Sequence, residues 1–127
     1  MLVPKVDPDG NDLGCLQPPE VAVPVGTYTG WNLRSAEAGA EDELVSLVGS
    51  FIPFPASKKE REASGDPRAS LEERYGTHAE YVRRFTAECQ RLQAAGWLIP
   101  EDAERLPKLH AERTRAAFAK FDPSAKP

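Results

Sequence analysis

Among the side chains able to carry acid, base or nucleophilic chemistry in this 127-residue chain, the histidines number two, the cysteines two and the serines seven. None of the serines, Ser35, Ser46, Ser50, Ser57, Ser64, Ser70 and Ser124, lies in a G-x-S-x-G stretch. That motif is the strained strand-to-helix turn that lifts a serine to the top of a hydrolase sheet. Ser57 and Ser70 each stand three residues before a glutamate and are expected to cap helices instead. His78 follows the cap candidate Thr77, and His110 sits among Lys108, Glu112 and Arg113, so both are expected to be exposed and idle. Cys15 follows Gly14 but has no neighbouring base. Asp7, Asp9 and Asp12 crowd one loop like calcium ligands, yet Pro18 stands where an EF-hand needs its bidentate glutamate. A turn explains them better. Gly26 and Gly30 precede an aromatic residue rather than a helix N-terminus, so no phosphate cradle is expected. No catalytic residue, cofactor or metal site follows from composition and spacing.

The stretch PEVAVPVGTYTGWNLR (residues 19–34) is an apolar and aromatic run that needs something to cover it. Tyr28, Trp31 and Asn32 lie towards the end of this run, and plain core packing of the two aromatics is the simplest reading of them. Large aromatics with a polar handle bury much area while their O–H or N–H seeks a partner.

The elements that must hold these residues divide near Pro55. The first part, 1–55, reads as strand and loop. Alternating apolar residues in LVPKV, the turn signal DPDGND and the return LGCL predict a hairpin over 2–16. EVAVPV (20–25) predicts an edge strand, because Pro24 cannot donate to a ladder. GTYTGWNLR (26–34) reads as a turning loop. Residues 43–48 read as a short helix or apolar turn stopped at Gly49, and SFIPFP as a docked extended segment.

The second part, 56–121, reads as helical. Ser57 with Glu60, Ser70 with Glu73 and Thr77 with Glu80 each fit a capping box. SGDP (64–67) is loop. Tyr81, Phe85, Cys89 and Leu92 form one stripe on a helix over about 78–95. Gly96 should end it in the left-handed region, with Trp97 folding back as the apolar contact. A last helix starts at Pro100, where Glu101 and Asp102 suit its first turn, and Pro107 should kink or split it. The tail FDPSAKP reads as frayed.

Net charge is −4 and no basic stripe is present, so nucleic acid and anionic membranes are not expected partners. MLVPKVDPDG is neither a signal peptide nor a transmembrane helix, and cytoplasmic is the default location. The cysteines lack metal-ligand spacing and read as reduced, buried thiols, with a disulfide or metal site as the alternative.

LVPKVDPDGND, PEVAVPVGTYTGWNLR, GSFIPF and SGDPRASLEERYGTHAEYV, in this order and spacing, resemble the C-terminal part of a family of large bacterial and fungal α/β-hydrolase-domain proteins. The resemblance covers roughly Leu2 to Leu106. It implies an α/β fold of which this chain is a single partial domain, an ester- or amide-cleaving ancestry, and a nucleophile-bearing core upstream of Met1. No triad residue is carried over, and Pro107 departs from the smoother helix expected there. The chain's implied partner is that hydrolase core, on which residues 19–34 would pack, and in the intact parent Tyr28, Trp31 and Asn32 are the candidate substrate-binding residues, as parts of the cleft wall. Two alternatives remain: a stand-alone, non-catalytic module that binds a protein partner, and a small self-contained enzyme built on His110 or Cys15.

Overall fold

A computed structural model describes residues 5–14, 16–45 and 48–126. The chain divides into two compact units, one taking Met1–Leu16 and Gly26–Pro53, the other Gln17–Val25 and Phe54–Pro127. Among the described residues both strand and helix are present, as small antiparallel sheets and five α-helices.

The first unit is built from hairpins. The turn signal at DPDGND forms a loop in which the Asp7 Oδ1 accepts from the backbone N–H of Asp9 (2.8 Å) and of Asn11 (2.9 Å). Val6 and Asp12 then pair antiparallel, and the Leu13 N–H donates to the Lys5 carbonyl. The expected hairpin is present over these residues; Leu2, Val3, Pro4 and Cys15 lie outside the described residues. Strand β1 (Gly26–Thr29) pairs antiparallel with β4 (Ser50–Pro53), Gly26 facing Pro53 and Thr29 facing Ser50. Strand β2 (Asn32–Leu33) pairs antiparallel with β3 (Leu44–Val45).

Two expectations are corrected here. Residues 26–34 are not a turning loop: Thr27, Tyr28 and Thr29 are β-branched and aromatic residues that suit a pleated surface, and SFIP supplies the matching strand. Leu44 and Val45 are strand rather than helix or apolar turn, because Asn32–Leu33 gives them a ladder; Ser46 and Leu47 are outside the described residues.

The second unit is helical. EVAVPV is not an edge strand: Pro19–Ala22 forms α1, a single turn with Pro19 at its first position. Proline's fixed φ and missing N–H fit that position, and this outweighs the strand preference of the valines. The capping chemistry then lays out α2 (Lys58–Ser64), α3 (Leu71–Tyr75) and α4 (His78–Ala94). Ser57, Ser70 and Thr77 each accept the expected third-residue N–H, but only Ser70 and Glu73 close a full reciprocal box. Glu60 reaches instead to the Ala56 N–H, and Glu80 turns to Arg83 and Arg84.

Helix α4 ends as expected. Gly96 is left-handed at φ 79°, its N–H donates to the Gln93 carbonyl, and the Trp97 N–H donates to the Leu92 carbonyl. Those two bonds complete a Schellman motif. The Trp97 side chain does not fold back into shelter; it is 66% exposed. Helix α5 (Pro100–Phe118) carries Pro107 inside it and is not split there. Loss of one N–H bond costs about 3 kcal/mol in a helix interior. Pro107 is buried, and the packing of α5 along α4 offsets that cost.

The tail is not frayed: Pro123–Ala125 makes a 3-10 turn whose cap, Asp122, also accepts the His78 N–H at 2.8 Å. Phe85, Phe118, Tyr81 and Cys89 lie at the centre of this unit's core with Phe54, Leu71 and Tyr75 around them.

Candidate functional site

The candidate site belongs to the first unit and is built outward from Asn11. Its side chain is fully buried, and it clips the Asp7–Asn11 turn to the free edge of β1. The Asn11 amide nitrogen donates to the Gly26 carbonyl (3.3 Å), and its oxygen accepts the Tyr28 N–H (2.7 Å). The Thr27 hydroxyl donates to the Asp9 carbonyl. Gly10 has φ 82°, and a Cβ there would come within 3.0 Å of the Thr27 methyl, so both backbone conformation and space favour glycine.

On the other edge, Tyr28 packs against Phe51 of β4, with ring centroids 5.0 Å apart at 41°. Thr29 and Ser50 share a hydroxyl–hydroxyl hydrogen bond across the same pair of strands.

Between these parts lies a cavity of about 570 Å³ lined by Val6, Gly10, Asp12, Thr27, Tyr28, Thr29, Gly30, Trp31 and Ile52. That volume falls within the range of small-molecule sites. Tyr28 and Trp31 therefore line the same cavity. Trp31 is 52% exposed, so plain core packing does not account for it. Asn32 is not among the lining residues; its side-chain oxygen accepts the N–H of its own neighbour Leu33. Val6, Thr27 and Ile52 were not singled out from the sequence. The alternation of polar and apolar residues in GTYT, together with the apolar IPF run, is the signal that could have paired them.

A family model described as an alpha/beta hydrolase domain matches residues 2–108. The chain belongs to that family. No curated protein and no solved structure matches it.

In an alpha/beta hydrolase domain chain the histidines are the first groups to test as bases, and here the second unit holds both. The expectation of exposed, idle imidazoles is overturned: each is only 8% exposed. His78 Nε2 lies 3.1 Å from the Thr114 hydroxyl, which itself donates to the His110 carbonyl at 2.7 Å. Burial is the main cause that holds the His78 pKa below its ordinary value, with Arg115 adding to it. His110 stacks on Phe85 at 4.3 Å and 20°. Its Nε2 lies 3.2 Å from Glu20 Oε1 of α1, and its Nδ1 lies 3.3 Å from the Tyr81 hydroxyl.

A carboxylate can only accept, so Nε2 carries a proton; in the neutral ring Nδ1 then accepts from the Tyr81 O–H. The hydrogen bond from His110 is also the main cause that holds the Glu20 pKa below the usual glutamate value. The Glu20–His110–Tyr81 line has the topology of a carboxylate–imidazole–hydroxyl relay. Tyr81 is almost wholly buried, however, so the relay ends inside the core rather than at a substrate.

Other candidates are held in local hydrogen bonds or in the core. Ser70 is buried and bonded within its capping box, and Ser57 and Ser124 are bonded at helix starts. Cys89 is a buried free thiol whose pKa burial pushes up to about 11; a thiol held protonated is a poor nucleophile. Among the described residues no group of three or more His, Cys, Asp or Glu side chains could hold a metal ion. No helix of the described residues is long and apolar enough to cross a membrane.

Proposed function

We propose that the chain is the C-terminal segment of an alpha/beta hydrolase domain protein that cleaves esters or amides by way of a serine, and that it is inactive by itself. In such a reaction a serine attacks the acyl carbon, an oxyanion hole holds the developing charge, and water releases the acid. The nucleophile and its base would come from outside these 127 residues, while this chain supplies a wall of the cleft through Tyr28 and Trp31.

The observation that carries the reading is the fate of the two imidazoles within a family-matched segment. Both are committed to partners within the second unit, Thr114 for His78 and Glu20 with Tyr81 for His110, and among the described residues neither is bonded to a serine. The lack of any G-x-S-x-G stretch agrees with it. The test is to treat the purified chain with a fluorophosphonate serine probe and a series of p-nitrophenyl esters. The expected result is no labelling and no turnover above buffer. Stoichiometric labelling of a serine in this chain, with matching turnover, would overturn the reading.

A second reading is a non-catalytic module that binds a protein partner. It is favoured by the apolar side chains the first unit leaves exposed, Leu44 at 69% with Phe51, Ile52, Leu33 and Val48. The module reading expects a cooperative thermal transition for the chain alone. A gradual loss of structure on heating would remove it.

A further inference from the structure

Resting on the reading of the chain as a hydrolase segment, we propose that the Tyr28–Trp31 cavity takes the uncharged apolar group of an ester or amide and discriminates against the carboxylate product. The chemistry of the lining carries this. Its apolar walls are Val6, Tyr28, Trp31 and Ile52, and its polar contributions are the hydroxyl residues Thr27 and Thr29 and the carboxyl residue Asp12. Among the described residues, no lysine, arginine or histidine lines it.

An anion entering such a site leaves water without gaining a cation, and that desolvation is costly. A neutral ring or branched alkyl group gains apolar contact with the two aromatics at no such cost. Hydrolysis turns a neutral ester and water into an alcohol, a carboxylate and a proton. A site of this kind holds the neutral substrate better than the acid formed from it wherever the new carboxylate lies at the cavity, so the change of charge favours release.

Trp31 makes the site its own reporter. The other tryptophan, Trp97, lies in the turn after α4 and in the other unit, so Trp97→Phe leaves Trp31 as the sole tryptophan, read by excitation at the red edge where tyrosine does not absorb. The experiment titrates the Trp97→Phe chain at pH 7 and fixed ionic strength with N-methylphenylacetamide, with phenylacetate and with phenyltrimethylammonium. The expected result is a saturable change in Trp31 emission with the amide, and binding of phenylacetate at least about tenfold weaker, a difference of about 1.4 kcal/mol.

Ile52→Lys then supplies the missing cation from an exposed strand position and should narrow or reverse the preference. No saturable response to the amide overturns the proposal. So does phenylacetate binding as tightly as the amide, the ammonium compound binding more tightly than it, or an Ile52→Lys chain with unchanged preferences. The emission signal requires no turnover, so serine labelling of the chain would sink the hydrolase-segment reading while leaving the binding result to be judged separately.

Discussion

A single buried amide fixes the geometry around the cavity. Asn11 satisfies one donor and one acceptor of β1, so Asn11→Ala would leave the Tyr28 N–H without that acceptor and would open a hole beneath the turn. The expected loss is about 2 kcal/mol, the cost of an unsatisfied buried polar group, read from denaturant unfolding followed by Trp31 emission in a Trp97→Phe background. Carboxylates set the acid behaviour at this scale. Bonds from the Ser70 backbone and hydroxyl hold Glu73 at about 2, and Arg83 with Arg84 hold Glu80 at about 2. Each is depressed in the folded chain, so its contribution is present above the ordinary value of 4.5 and is lost as pH falls from there through about 2. Glu73→Gln should therefore flatten the dependence of stability on pH within that window, measured by unfolding at a series of pH values. Glu20 works in the same direction through His110. The Glu20–His110 pairing was not legible in the sequence, because ninety residues separate them and only the tertiary fold brings them to 3.2 Å.

At the scale of elements, the local signals were read well where backbone chemistry alone decides. Three hydroxyl caps and the glycine stop of α4 stand where the spacing puts them. Ser70→Ala should cost about 1 kcal/mol in thermal or denaturant unfolding, since it removes the cap of the one complete box. Where the outcome depends on a distant partner the sequence misled. GTYT looked like a loop because its flanking glycines punctuate it, yet one of them is there for packing. A Cβ on Gly26 would meet the Phe51 ring at 2.5 Å and the Ile52 carbonyl at 2.6 Å. Gly26→Ala should therefore break the β1–β4 pairing and abolish the Trp31 response to the neutral amide. Gly96→Ala meets open space, so only the left-handed backbone resists it. Its cost should stay near 1 kcal/mol, with α4 otherwise unchanged by circular dichroism.

For the whole molecule, the two units differ in what holds them. The helical one has a continuous aromatic core, Tyr75, Tyr81, Phe85 and Phe118 packed ring against ring. The strand unit relies on two-stranded pairs, which are marginal in water by themselves. Hydrogen exchange should show the amides of Tyr81–Leu92 protected far longer than those of β1 and β4; equal protection would contradict this division. Family membership was legible in the sequence because it rests on a long ordered set of segments. The cavity was only half legible: Tyr28 and Trp31 stand out as residue types, whereas Val6 and Ile52 join them only once two hairpins have formed.

The chain leaves the strand unit at Gln17, spends nine residues in the helical unit and returns at Gly26. A gene cut at Phe54 would therefore not deliver the helical unit intact. It would discard Val23 and Val25, which pack on the helical core, and would leave His110 Nε2 without its carboxylate partner, Glu20. A shortened clone that is to keep those partners must begin no later than Gln17, and it then carries the strand segments along as an insertion.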